Sequence, residues 1–146
     1  MANVSITIED KELQEKLSKI LGNLKNKIKF HKQALIFMRQ DVLRHFDEKK
    51  GSKSSWPSVS KPYALIKAKK GKDPSNILQF SGRLKQSISE FARASEEEAS
   101  VGTNLRYAFK HQFGSGNSPQ REFLWLSSDA NEKIIELAKN YFSGEN

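Results

Sequence analysis

An α+β fold is predicted by three features of the sequence. A short run near the start has alternating apolar residues, a long following stretch repeats its apolar residues every three to four positions, and a second helical stretch closes the chain. The expected arrangement is a long N-terminal helix and a C-terminal helix packed on a small antiparallel sheet. At 146 residues the chain has the size of one domain, 1–146, with a basic loop-rich segment at about 49–76. A hydrophobic share of 36% and a mean hydropathy of -0.68 predict a modest core.

Val4, Ile6 and Ile8 alternate with Ser5 and Thr7, the period of a half-buried strand. Asp10 stands at an N-cap position, and Glu12 follows in the first turn beside the positive end of the helix dipole. Leu17, Leu21, Leu24, Ile28, His31, Leu35, Met38, Val42 and His45 then recur at steps of four and three, close to a heptad seam. Gly51 beyond Lys49 and Lys50 is a stop signal. One helix from Lys11 to Lys49 is predicted, roughly 58 Å long at the standard rise, with a weak point at Gly22. Its exposed seam needs a neighbour, and a second copy of the chain is the simplest one.

Gly51 to Asn76 is rich in Ser, Lys, Gly and Pro, with extended or turn dipeptides at Trp56-Pro57, Lys61-Pro62 and Asp73-Pro74. Within this loop Tyr63 to Lys67 reads as a short helix or a turn. Ile77 to Ile88 reads as another short helix. Ser87–Arg93 and Glu97–Thr103 bracket a turn at Ala94-Ser95-Glu96 and form a hairpin, with Glu96, Glu97 and Glu98 as its solvated tip.

Val101 to Leu126 is the most informative stretch. A strand end at Val101–Asn104 leads into a compact turn that places Tyr107, Phe109 and Phe113 within seven residues. Gly114 to Pro119 is a flexible loop, and Phe123 to Leu126 is a fresh apolar run, a candidate further strand of the sheet. Two anchored ends around a loop are a common way to present a contact surface. Ser127 or Ser128 then caps a helix carrying Ile134, Ile135, Leu137, Ala138, Tyr141 and Phe142, with Asp129 and Glu132 in its first turn.

The formal charge of +8 sits in one place. Lys49, Lys50, Lys53, Lys61, Lys67, Lys69, Lys70 and Lys72 occur there with no Asp or Glu among them. The 25 basic residues less these eight leave 17, equal to the 17 acids. The segment fits a solvated loop that meets an acidic partner surface, or sequence-independent contact with double-stranded DNA. Trp56 and Tyr63 are its only aromatics, and no base-reading motif accompanies them.

With no cysteine the chain has neither disulfides nor thiolate metal sites. No apolar run reaches the ~18 residues of a membrane span, and the start lacks the layout of a secretory signal. A soluble protein made in the cytoplasm is expected, with no membrane partner. His31 and His45 lie roughly 21 Å apart along one helix, too far to share an ion, and are expected in the core or an interface. His111 with Ser81 or Ser115 and Asp129 could be drawn as a hydrolase triad, but no Gly-x-Ser-x-Gly elbow surrounds any serine. No catalytic residue, metal, cofactor or small-molecule substrate is expected.

One ordered set of residues carries a resemblance. It comprises Trp56-Pro57 with Ser60, Ile77-Leu78, Gly82-Arg83-Leu84, Ser87-Ile88, Val101-Gly102-Thr103-Asn104, Tyr107-Ala108, His111-Gln112-Phe113-Gly114, Pro119, Arg121 and Phe123-Leu124. It resembles the phage virion-morphogenesis (tail-completion) family of Mu-like phages, from roughly Trp56 to the C-terminus. That family usually has Pro-Ala-Arg-Pro-Phe where this chain has Pro119-Gln120-Arg121-Glu122-Phe123, so a backbone N–H is freed and φ relaxed here. The resemblance implies a non-enzymatic structural protein of the phage neck or tail end. It would form a homo-oligomeric ring, guessed to be a hexamer, among other neck or tail proteins. It would be made in the host cytoplasm and carried into the virion. The expected subunit or partner contacts are Leu35, Met38 and Val42 on the helix stripe, with Trp56, Arg83, Tyr107, His111, Phe113, Gly114, Arg121 and Phe123.

Overall fold

The computed structural model describes residues 11–145; the strand expected at Val4–Ile8 and the Asp10 cap lie outside them. Six helices and one hairpin follow in order: α1 (Lys11–Lys25), α2 (Ile28–Glu48), α3 (Lys61–Lys69), α4 (Arg83–Glu90), β1 (Arg93–Ala94), β2 (Ala99–Ser100), α5 (Ala108–Phe113) and α6 (Ser128–Ser143). The described chain is therefore mostly helical. The expected layer of helices on a sheet is corrected: β1 and β2 pair over two residues each, Arg93 with Ser100 and Ala94 with Ala99, and α6 packs along α2 and onto α1.

The single long helix is also corrected, because the chain breaks at Asn26–Lys27 and not at Gly22. In a continuous helix the N–H groups of Lys27 and Ile28 would bond four residues back. Here they donate to one carboxylate oxygen of Glu96, at 2.9 and 3.1 Å. Glu96 thus caps α2 from the hairpin, where Lys27 offers no side-chain cap of its own, and its charge suits the positive helix end. Tyr141 completes the joint, its carbonyl accepting from Asn23 Nδ2 at 2.6 Å and its hydroxyl donating to the Asn26 carbonyl. The break separates the two halves of the apolar seam. Val42 and His45 enter the core on α2, whereas α1 has no buried residue and leaves Leu17, Leu21 and Leu24 exposed.

The core gathers where α2 ends, and there Phe46 packs edge-on to Trp56 and tilted against Phe123, each at 5.6 Å between ring centroids. Val42, Ile77, Leu84, Ile88 and Ala108 surround them. Lys49 closes α2 in the left-handed region (φ 55°), a position that sequence reasoning leaves to Gly51. Phe123–Leu126 does not add a strand. Gln112 takes up its backbone: Oε1 accepts from the N–H of Phe123 and of Leu124, at 3.1 and 2.9 Å, and Nε2 donates to the Leu124 carbonyl at 2.9 Å. With these groups satisfied by a side chain, the segment needs no partner strand. The aromatic turn before it is the helix α5, and Ile77–Gly82 is a run of turns that becomes helical only at Arg83.

The C-terminal helix begins as expected, with Ser127 Oγ accepting from the Ala130 N–H at 3.2 Å. Its anchor to α2 is Asp41, whose side chain is only 3% exposed. Asp41 accepts from the Ser127 N–H (2.7 Å), the Ser127 hydroxyl (2.6 Å) and Arg44 Nη2 (2.6 Å). Burial alone would raise its pKa, but these bonds and the charges of His45 and Arg44 hold it below the ordinary value.

Candidate functional site

Beside the core lies an open groove of about 610 Å³. One wall is α3, another the turns from Ile77 to Gly82 with the start of α4, and the third α5 with the turn after it. That turn is tight where sequence reasoning gives a flexible loop. Ser115 and Ser118 exchange both backbone hydrogen bonds, at 3.1 and 2.9 Å. Gly114 leads into it at φ 75°, where a Cβ would stand 3.2 Å from the Gln120 backbone nitrogen. Leu78, half-buried against the core, also takes a positive φ of 59°. A branched side chain costs about 1–2 kcal/mol in that region, so packing holds the groove wall in a conformation the local sequence resists.

The groove unites Arg83, Tyr107, His111 and Arg121 of the expected contact set, and no acidic residue lines it among the described residues. Arg121 is only 7% exposed. Its Nε and Nη2 donate to the carbonyls of Pro57 and Ser58 at 2.8 and 2.9 Å, and it forms no ion pair among the described residues. His111 packs edge-on to Tyr107, and its ring makes no hydrogen bond among the described residues although Nδ1 is buried. Burial and the charge of Arg121 lower its pKa. Arg83 is exposed at the rim.

Other expected contacts go elsewhere. Val42, Trp56 and Phe123 lie in the core, so their place on a contact face is corrected: apolar side chains this deep support the surface from beneath. Leu35 and Met38 are half-buried on α2, and Gly114 is half-buried at the turn. Phe113 projects outward with Phe109 on the face of α5 away from the groove. These two rings are 61% and 65% exposed and pack against each other at 4.9 Å.

The basic segment is also divided. Lys50, Lys53, Lys61, Lys69, Lys70 and Lys72 are exposed, and Lys49 is half-buried. Lys67 is 1% exposed, and its Nζ donates to the Asn76 carbonyl at 2.6 Å. Its expected contact with DNA or an acidic partner is therefore corrected: it closes the turn beneath α3. Burial lowers its pKa, Asp73 opposing and Lys49 reinforcing that shift.

The drawn triad does not assemble. His111 bonds to no serine, and the Asp129 carboxylate meets Lys133 at 3.0 Å and Arg44 at 3.9 Å at the start of α6. His31 donates from Nδ1 to the Ser95 carbonyl at 2.6 Å, which fastens the hairpin to α2. His45 is buried, stacked on Trp125 at 3.9 Å, and donates from Nδ1 to the Phe123 carbonyl at 3.1 Å. Sequence reasoning gave no role to Asp41 or Gln112, and its solvated tip is corrected at Glu96, whose carboxylate caps α2.

Residues 8–143 match the sequence pattern of the phage virion morphogenesis family. No curated protein and no solved structure matches the chain.

Proposed function

Because the chain belongs to the phage virion morphogenesis family, we propose that it is a non-enzymatic structural subunit that closes into a ring of identical copies at the head–tail junction or tail end. A hexamer follows from the symmetry of phage tails, and the ring would contact other neck or tail proteins. The observation that carries this reading is the Phe109–Phe113 pair, mostly solvent-exposed on a helix whose other face is built into the protomer. Exposed apolar patches mark surfaces that another molecule covers. Leu65 and Ile66 on α3, 63% and 49% exposed, add to it. Native mass spectrometry of the purified protein, with electron micrographs of the same sample, should show one discrete copy number and rings of one diameter. A monomer at every concentration rejects the reading.

The six exposed lysines favour a second property of the same ring, contact with DNA passing through it. Copies multiply a weak charge effect. Replacing Lys69, Lys70 and Lys72 together by Gln should weaken retardation of duplex DNA at low salt and reduce the salt slope by about 3. Unchanged retardation rejects this lysine cluster as the DNA site. Lys67→Gln should act on folding instead, since Lys67 is buried.

A further inference from the structure

Arg83 and Arg121 give the groove a positive charge that no ion pair among the described residues offsets, and the opposite end of the molecule carries the matching charge. The hairpin between β1 and β2 caps the start of α2 through Glu96. The groove wraps the end of α2, where Gln79 donates to the Phe46 carbonyl at 3.3 Å. From Ile28 to Phe46 the helix rises about 27 Å, so tip and groove lie at opposite ends of one rod. Ser95 Oγ fixes the tip by accepting from the N–H groups of Glu97 and Glu98, each at 3.2 Å. Both carboxylates are left exposed, and neither forms an ion pair among the described residues.

We propose that the groove of one protomer receives the Glu97–Glu98 tip of a second copy, so that neighbours join head to tail; the inference rests on the ring reading above and names its joint. Arg83 at the rim meets the arriving carboxylates, and His111 and Arg121 face them from deeper in the wall. A guanidinium held only by carbonyls, as Arg121 is behind the rim, adds its charge to the attraction for an incoming anion. Because donor and acceptor are different surfaces, the contact is heterologous, the type that generates rings when the rotation closes.

The test uses charge reversal on each side. Glu97→Lys with Glu98→Lys removes the tip and leaves the groove intact, while Arg83→Glu does the converse. All three positions are exposed, and circular dichroism verifies the fold; Glu97→Gln with Glu98→Gln is the milder second variant. Sedimentation velocity of either variant alone should show association weakened at least about tenfold. An equimolar mixture of the Glu97→Gln, Glu98→Gln variant with an Arg83→Gln variant should give a heterodimer and nothing larger, since each supplies the surface the other lacks and the two neutralised surfaces do not attract each other. Variants that assemble like the parent overturn this joint and leave the ring reading standing. A parent that stops at two copies overturns head-to-tail closure, and a parent that stays monomeric overturns both.

Discussion

Asp41→Ala is expected to cost about 3 kcal/mol of folding stability, the size of effect seen when one partner of a buried charged network is removed. The carboxylate is the shared acceptor for the Ser127 N–H, the Ser127 hydroxyl and Arg44, so alanine strands three donors at the α2–α6 contact. Asp41→Asn keeps an acceptor and should cost less. Urea denaturation followed by far-ultraviolet circular dichroism measures both. A loss under about 1 kcal/mol for Asp41→Ala would show that the network adds no more than an ordinary hydrogen bond. The network also sets the response to acid. A carboxylate whose folded pKa lies below the ordinary 3.8 stabilises the fold above that pH and loses the effect as pH falls through the folded value. His45 and His111 act earlier. Burial lowers both from the ordinary 6.5, so folding favours their neutral forms, and stability should begin to fall as pH drops below about 6.5. The parent should therefore lose stability in two steps on acidification, and Asp41→Ala should lack the lower contribution.

Replacing Phe109 and Phe113 together by Ser should abolish assembly while leaving the protomer folded. Both rings are more than 60% exposed, so each change should alter folding by no more than about 0.5 kcal/mol beyond loss of their mutual contact. Aromatic anchors that become buried at an interface contribute about 2 kcal/mol or more apiece, which is roughly thirtyfold in affinity. Thermal unfolding and light scattering on the same sample separate the two effects. A doubly substituted protein that still forms the parent's oligomer would remove the aromatic pair from the interface, and a protein that unfolds would show the pair belongs to the core.

Much of the helical content was legible because periodicity is a local property. The α2 stripe, the Ser127 cap and the α6 pattern all appear within a few residues of one another. The long helix misled for the same reason: its seam runs unbroken through Asn26 and Lys27, and nothing nearby says that Glu96, some 70 residues on, will take the helical N–H groups. Asp41 did leave a trace, being an acid on the apolar side of a helix with His45 one turn later. The Phe123–Leu126 run looked like a strand because its composition is strand-like, and Gln112 decided otherwise.

The family could be recognised from a resemblance carried by an ordered set of residues, and the heptad-like stripe, the concentration of lysines and the capped final helix could be read from residue types and spacing. The tertiary structure alone decided that the stripe divides between core and solvent, that Lys67 is buried while its neighbours are not, and that Arg83, Tyr107, His111 and Arg121 share one groove. The physical reason is that composition and period state what a side chain can satisfy, whereas burial depends on which distant segment arrives to satisfy it.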